Sequence, residues 1–280
     1  MSVPFLLQQF GPGMSVTAVV AFIAALATRW LSPAWTKQIA FAVAAGGAFA
    51  AGYRWSLGWP AFPPTDATQW LLFAGIAGIF LGAAYGFCES NRAGRLISFG
   101  LLLFGTLSLI LAPKFRAGWT FGEGAPWVVA LVLGGSLLGC SIDASLRRQS
   151  GRLPLLWLLV LAGGASAALA LSGSVLLGQL AGLLAAVVFG LNAASLAGAN
   201  TGRAIVPAVS VLLTGLIACG YFYADLPWSS VLLLALGSLA GLFGQGLSSI
   251  RRDLVRAAIA GLPVAAAVAL AFKASPPLDY

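Results

Sequence analysis

Asp143 is the residue in this chain best placed to do chemistry, because it is the one acid inside an otherwise apolar, helix-length segment. An ionisable group in such a segment marks a substrate, ion or proton site by default. Arg147 follows four residues later, so an ordinary ion pair along one helix face is the competing reading. Asp143 shares a face with Gly135 and Gly139, which directs it toward protein. The other polar residues with a prospective bundle-interior role are Asn192, Gln245, Thr106 and Thr214, with Gln179 on the same segment as Asn192. An amide in lipid needs a partner, so helix-to-helix hydrogen bonding is the plain alternative for Asn192 and Gln179. Threonines can bond back to their own helix. Glu89 reads as a loop or helix-end charge.

Catalytic constellations are not visible. The chain has no histidine, which removes the commonest acid-base group and metal ligand. No pair of carboxylates shares a face, and the glycines sit within apolar segments rather than after a strand. Cys88, Cys140 and Cys219 lie far apart, without metal-ligand spacing, and read as small core residues. The sequence therefore implies no cofactor, no metal and no enzyme.

The segments that carry these residues are membrane-like. Hydrophobic residues make up 60% of the 280 and charged residues only 8%, against about 25% in soluble domains. Ten stretches are long and apolar enough to span a bilayer: residues 14–31, 38–54, 69–87, 95–112, 126–145, 153–172, 174–195, 204–223, 228–247 and 254–273. The sixth and seventh are joined only by Leu171-Ser172-Gly173-Ser174. This reads as a tight helical hairpin, without which the count is nine. The first thirteen residues lack lysine and arginine, so the first stretch is expected to be a permanent helix rather than a cleaved signal.

The basic residues set an orientation. With the N-terminus outside, the cytoplasmic loops hold Arg29, Lys37, Arg92, Arg95, Arg147, Arg148, Arg152, Arg203, Arg251, Arg252 and Arg256, eleven in all. The other side holds four: Arg54, Lys114, Arg116 and Lys273. This positive-inside bias explains the net charge of +8 without nucleic acid. Tyr53, Trp55, Trp59, Trp70, Trp119, Trp127, Tyr221, Tyr223 and Trp228 then form an outer aromatic belt. Two outer loops are expected, at 54–69 and 113–126, the first with Thr65 or Asp66 capping the next helix. The tail from Ala274 to Tyr280 is expected to be mobile.

An internal echo runs through the spans. Ala74, Gly78, Gly82 and Gly86 return 108 residues later as Gly182, Ala186, Gly190 and Ala194. The same shift carries Gly94-Arg95 onto Gly202-Arg203 and Thr106 onto Thr214. A shift of 102 carries Gly135, Gly139 and Asp143 onto Gly237, Gly241 and Gln245. Pro126-Trp127 and Pro227-Trp228 match at the outer ends. The reading is a parallel duplication of a four-helix unit, 69–173 and 174–280, behind two leading helices in 1–68. Small residues four apart let helices approach closely where water does not drive association.

The expected fold is thus an all-α, polytopic transmembrane bundle of about ten spans, both termini outside, in the cytoplasmic membrane of a bacterium. Two functions fit. One is a transporter or permease for a small neutral or lipid-like solute, neutral because the interior holds few charges. The other is a structural or accessory subunit of a larger membrane complex. The partners implied are the lipid bilayer and other membrane subunits.

Overall fold

The structure is a computed structural model that describes residues 3–87, 92–147, 153–243 and 249–274. Cys88, Glu89, Arg148, Arg152, Gln245 and the tail from residue 275 lie outside the described residues. All regular structure among the described residues is helical. The helices are α1 (Val3–Ala27), α2 (Ala34–Ala42), α3 (Ala48–Leu57), α4 (Trp70–Phe87), α5 (Arg92–Arg116), α6 (Phe121–Arg147), α7 (Leu156–Leu171), α8 (Val175–Leu196), α9 (Val206–Tyr223), α10 (Trp228–Gly237) and α11 (Ser249–Ala274). A π turn, Val43–Gly47, joins α2 to α3 in one rod. A 3-10 turn, Ser238–Leu242, extends α10.

Among the described residues, six helical stretches are long and apolar enough to cross a membrane: Ala67–Tyr85, Ala93–Arg116, Phe121–Arg147, Val175–Leu196, Arg203–Tyr223 and Ile250–Ala274. Gly11–Ala27, Leu156–Leu171 and Trp228–Leu242 are shorter apolar helices. The chain is a multi-pass helical membrane protein by this measure. Large apolar side chains stand outward, among them Phe80, Leu101, Phe104, Leu133 and Leu262, as a lipid-facing wall requires.

Two helices form the centre. In α8 and α9, 83% of the most apolar stretch is buried, against 28–39% in the other four long helices. α8 packs on α1 and α7, and α9 packs on α4 and α6. α11 covers α7, with α10 beside it.

Hydrogen bonds show which helix ends share one side of the bundle. Arg29 Nη1, after α1, donates to the Ala197 carbonyl after α8 (2.8 Å). Gln38 Oε1 on α2 accepts from Ala204 N before α9 (3.2 Å). Trp157 Nε1 on α7 donates to Ser145 Oγ near the end of α6 (3.1 Å), and that hydroxyl reaches the Gly241 carbonyl after α10 (3.3 Å). Leu153 N, before α7, donates to Asp253 Oδ2 on α11 (3.1 Å). At the opposite side, Trp119, Trp127, Tyr221 and Phe222 pack edge-on or tilted with centroids 4.8–5.4 Å apart.

Local chemistry explains most boundaries. The turn between α7 and α8 is as tight as expected: Gly173 takes φ +97° and Ser174 Oγ accepts from Leu177 N. A positive φ there suits glycine, which has no Cβ to clash. Asp66, rather than Thr65, caps the start of the third rod, accepting from Thr68 N at 2.9 Å. The expected outer loop at 113–126 is mostly helix instead. α5 continues through Pro113 to Arg116, and α6 starts at Phe121. The cause is the glutamate half of a capping box: Glu123 Oε2 accepts from both the backbone N and the hydroxyl of Thr120 (2.9 Å each). This satisfies the Thr120 amide at a new helix start several residues before Trp127.

Glycines permit the closest helix approaches. A Cβ on Gly78 would lie 2.5 Å from Ala208 Cα, and one on Gly82 would strike the Ala204 carbonyl. On Gly190 it would lie 2.5 Å from the Ala18 carbonyl, and on Gly241 2.5 Å from that of Ser141. The first stripe therefore seats α4 on the start of α9, and the second seats α8 on α1.

Candidate functional site: a basic pocket at one end of the bundle

A cavity of ≈390 Å³ opens where α4 and α6 end and where α5 and α9 begin. Tyr85, Arg95, Leu96, Phe99, Cys140, Asp143, Arg147 and Arg203 are among its lining residues. Among the described residues it holds three guanidinium groups and one carboxylate, a formal surplus of two positive charges. Two helix N-termini and two C-termini meet here, so their dipoles offset one another. The positive field comes from side chains.

Asp143 is shared. Arg147 approaches it from four residues along α6, with Nε donating to Oδ2 at 2.8 Å and Nη2 at 2.7 Å. Arg203, just before α9, donates from Nε to the other oxygen, Oδ1. The carboxylate thus ties α6 to α9. Its pair with Arg147, whose side chain is 42% exposed, contributes little to stability.

Arg95 differs. It is 9% exposed and lines the cavity, yet has no ion-pair partner among the described residues. Its guanidinium lies 5.8 Å from the Tyr85 ring centroid, a cation–π contact. The Tyr85 hydroxyl donates to the Arg95 carbonyl at 3.1 Å, fastening the end of α4 to the start of α5. A ring quadrupole offsets only part of the cost of taking a cation out of water. An anion entering the cavity would supply the rest.

The walls are apolar. Phe99 is buried, and Leu96, 56% exposed, stands at the rim. Gly139 makes room for the Phe99 ring: a Cβ there would lie 2.5 Å from Phe99 Cε1. Cys140 is an exposed thiol on the same wall.

The polar residues singled out from sequence do not converge. Asp143 lines this cavity. Asn192 is 3% exposed, accepting from Leu155 N (3.2 Å) and donating to the Val188 carbonyl (3.1 Å), a structural clasp between α7 and α8. Thr214 is buried on α9, with Oγ1 facing Gly135. Thr106 lines a separate groove between α4 and α5. Gln179 is buried on α8. Arg95, Arg203 and Tyr85 were not anticipated as site residues. The echo of Gly94-Arg95 in Gly202-Arg203 was the available signal: it marks two arginines at equivalent helix starts, and both line one cavity. Asp253 was missed too. α11 begins at Ser249, earlier than the hydropathy indicates, and this buries Asp253 beside the start of α7.

Compared with protein-family models, curated proteins and solved structures, the chain matches none. Among the described residues, no group of three or more Cys, Asp or Glu could hold a metal ion.

Proposed function

We propose that this chain is a membrane carrier whose binding station is the basic pocket, and that its solute bears an anionic group on an apolar body. The observation that carries this reading is Arg95, buried and without an acid partner among the described residues, in a cavity with a surplus of positive charge. Scarcity of interior charge favours a neutral solute when the sequence is read alone. The gathering of three arginines around one carboxylate favours an anion, and the Phe99 and Leu96 walls retain the lipid-like half of that expectation.

We further propose that all ten rods cross the bilayer, with the pocket on the cytoplasmic side and both termini opposite. The positive-inside bias supports this, as do the hydrogen bonds that join alternate helix ends. The same bias supports a bacterial cytoplasmic membrane. Duplication of a four-helix unit remains part of the proposal, supported by the paired Gly-Arg starts of α5 and α9.

The test uses the native thiol at the pocket wall. With Cys88 and Cys219 changed to alanine, butyl phosphate should slow maleimide labelling of Cys140 in the purified protein. Arg95→Gln should weaken that protection about tenfold, the size of one lost charge-assisted hydrogen bond. Equal protection with and without Arg95, or none at all, overturns the pocket reading. In proteoliposomes, chain-dependent efflux of butyl phosphate supports a carrier. Binding without efflux overturns the carrier and favours an accessory subunit.

A further inference from the structure

A second recess, ≈300 Å³, lies along α4 and α5, two of the helices that line the basic pocket. Trp70, Phe73 and Ala77 of α4 and Leu102, Gly105 and Leu109 of α5 line it. Apart from Thr106 its lining is apolar. Helical periodicity puts Trp70, Ala74, Ala77, Leu81 and Tyr85 on one face of α4. It likewise puts Arg95, Phe99, Leu102, Thr106 and Leu109 on one face of α5. Those two faces bear the basic pocket at one end of the α4–α5 seam and the apolar recess toward the other. From Arg95 to Leu109 the seam runs about 21 Å at the helical rise per residue. That exceeds the half-thickness of a bilayer's hydrocarbon core, about 15 Å.

From this, resting on the pocket reading above, we infer that the α4–α5 seam holds a membrane lipid, its anionic head among Arg95, Arg147 and Arg203 and one alkyl chain along the apolar recess. Charge complementarity selects the head, since Arg95 is nine-tenths buried and faces the cavity without an acid partner among the described residues. The seam opens outward: Phe80 is 73% exposed, and Leu101, on the wall of the recess, 65%. A lipid therefore reaches the seam sideways from the bilayer. A free phosphate ion uses the pocket alone and gains nothing from the recess.

Gly105 makes the inference testable. A Cβ on Gly105 meets no atom within 4 Å, so Gly105→Leu projects into the recess without disturbing the bundle. A Cβ on Gly100 also meets nothing, and Gly100 lines neither recess, so Gly100→Leu is the control. The full chain is purified in detergent with equal amounts of phosphatidylglycerol and phosphatidylcholine carrying the same acyl chains, and bound lipid is counted by native mass spectrometry. Wild type and Gly100→Leu should retain phosphatidylglycerol about tenfold over phosphatidylcholine. Gly105→Leu should lose most of that retention while butyl phosphate still protects its Cys140. Arg95→Gln should lose both. Undiminished lipid retention in Gly105→Leu overturns the seam and leaves the pocket standing. Loss of retention in Gly100→Leu equal to that in Gly105→Leu also overturns the seam. Equal retention of the two lipids by wild type overturns it as well, and unchanged butyl phosphate protection in Arg95→Gln overturns the pocket beneath it.

Discussion

Helices α4 and α5 share a sequence pattern with α8 and α9, yet the two pairs live in different solvents. α8 and α9 are 83% buried along their most apolar stretches, whereas α4 and α5 are 39% and 33% buried. Both pairs use a small-residue stripe for one close contact, α4 on α9 and α8 on α1. What differs is the rest of each helix. α7 and α3 cover the remaining faces of α8, while the corresponding surface of α4 turns to α5 and to lipid. A repeated stripe thus fixes where a helix docks but leaves its other faces to be used for core or for site. The apolar recess falls wholly on the exposed pair, and the basic pocket is shared between that pair, α6 and the start of α9.

The sharpest way to break this comparison is to fill both stripes. Gly78→Leu and Gly190→Leu would each drive a side chain into neighbouring backbone 2.5 Å from its Cβ. Overpacking typically costs about 1–3 kcal/mol; against backbone rather than flexible side chains, a loss at the upper end is expected for both, read as a lower melting temperature in detergent. Tolerance in α4 alone would mean that its docking on α9 is dispensable and that the two stripes are unlike. Next in size is Asp143→Asn, which removes the only carboxylate lining the pocket among the described residues. At an effective dielectric near 20, one nearby charge is worth several kcal/mol before screening. Butyl phosphate should therefore bind about tenfold tighter, measured by Cys140 protection. Weaker binding would show that the carboxylate orders the arginines rather than competing with the anion. Arg203→Gln should have a smaller effect than Arg95→Gln, about threefold, because Asp143 already neutralises part of the Arg203 charge. Similar losses at the two positions would remove the distinction between the echoed arginines. Smallest, Gly100→Ala should raise stability by about 0.5–1 kcal/mol, since a helix-interior glycine with open space gains by acquiring a Cβ.

Helix positions were legible because lipid demands long apolar runs, and the loops between them hold the charges. The hairpin at Ser172-Gly173-Ser174 was legible because turn chemistry is local. The outer loop at 113–126 was misjudged because Pro113 and Pro126 signal breaks, whereas the Thr120–Glu123 box starts a helix between them. Asp143 and its Arg147 contact follow from four-residue spacing alone. Arg203 does not, since it comes to Asp143 from 60 residues away. Asn192 looked like a site residue because an amide in lipid needs a partner, and the partners it found are the Leu155 and Val188 backbone.

The central claim is that lipid surrounds this bundle and that the basic pocket lies at its cytoplasmic end. Single cysteines at Gly118 and Asn200, both exposed and on opposite ends of the bundle, in a chain with Cys88, Cys140 and Cys219 replaced by alanine, test it directly. In intact cells, a membrane-impermeant maleimide should label position 118 and reach position 200 only after the membrane is opened. Labelling of both positions from the same side, or of position 200 alone in intact cells, would contradict the claim.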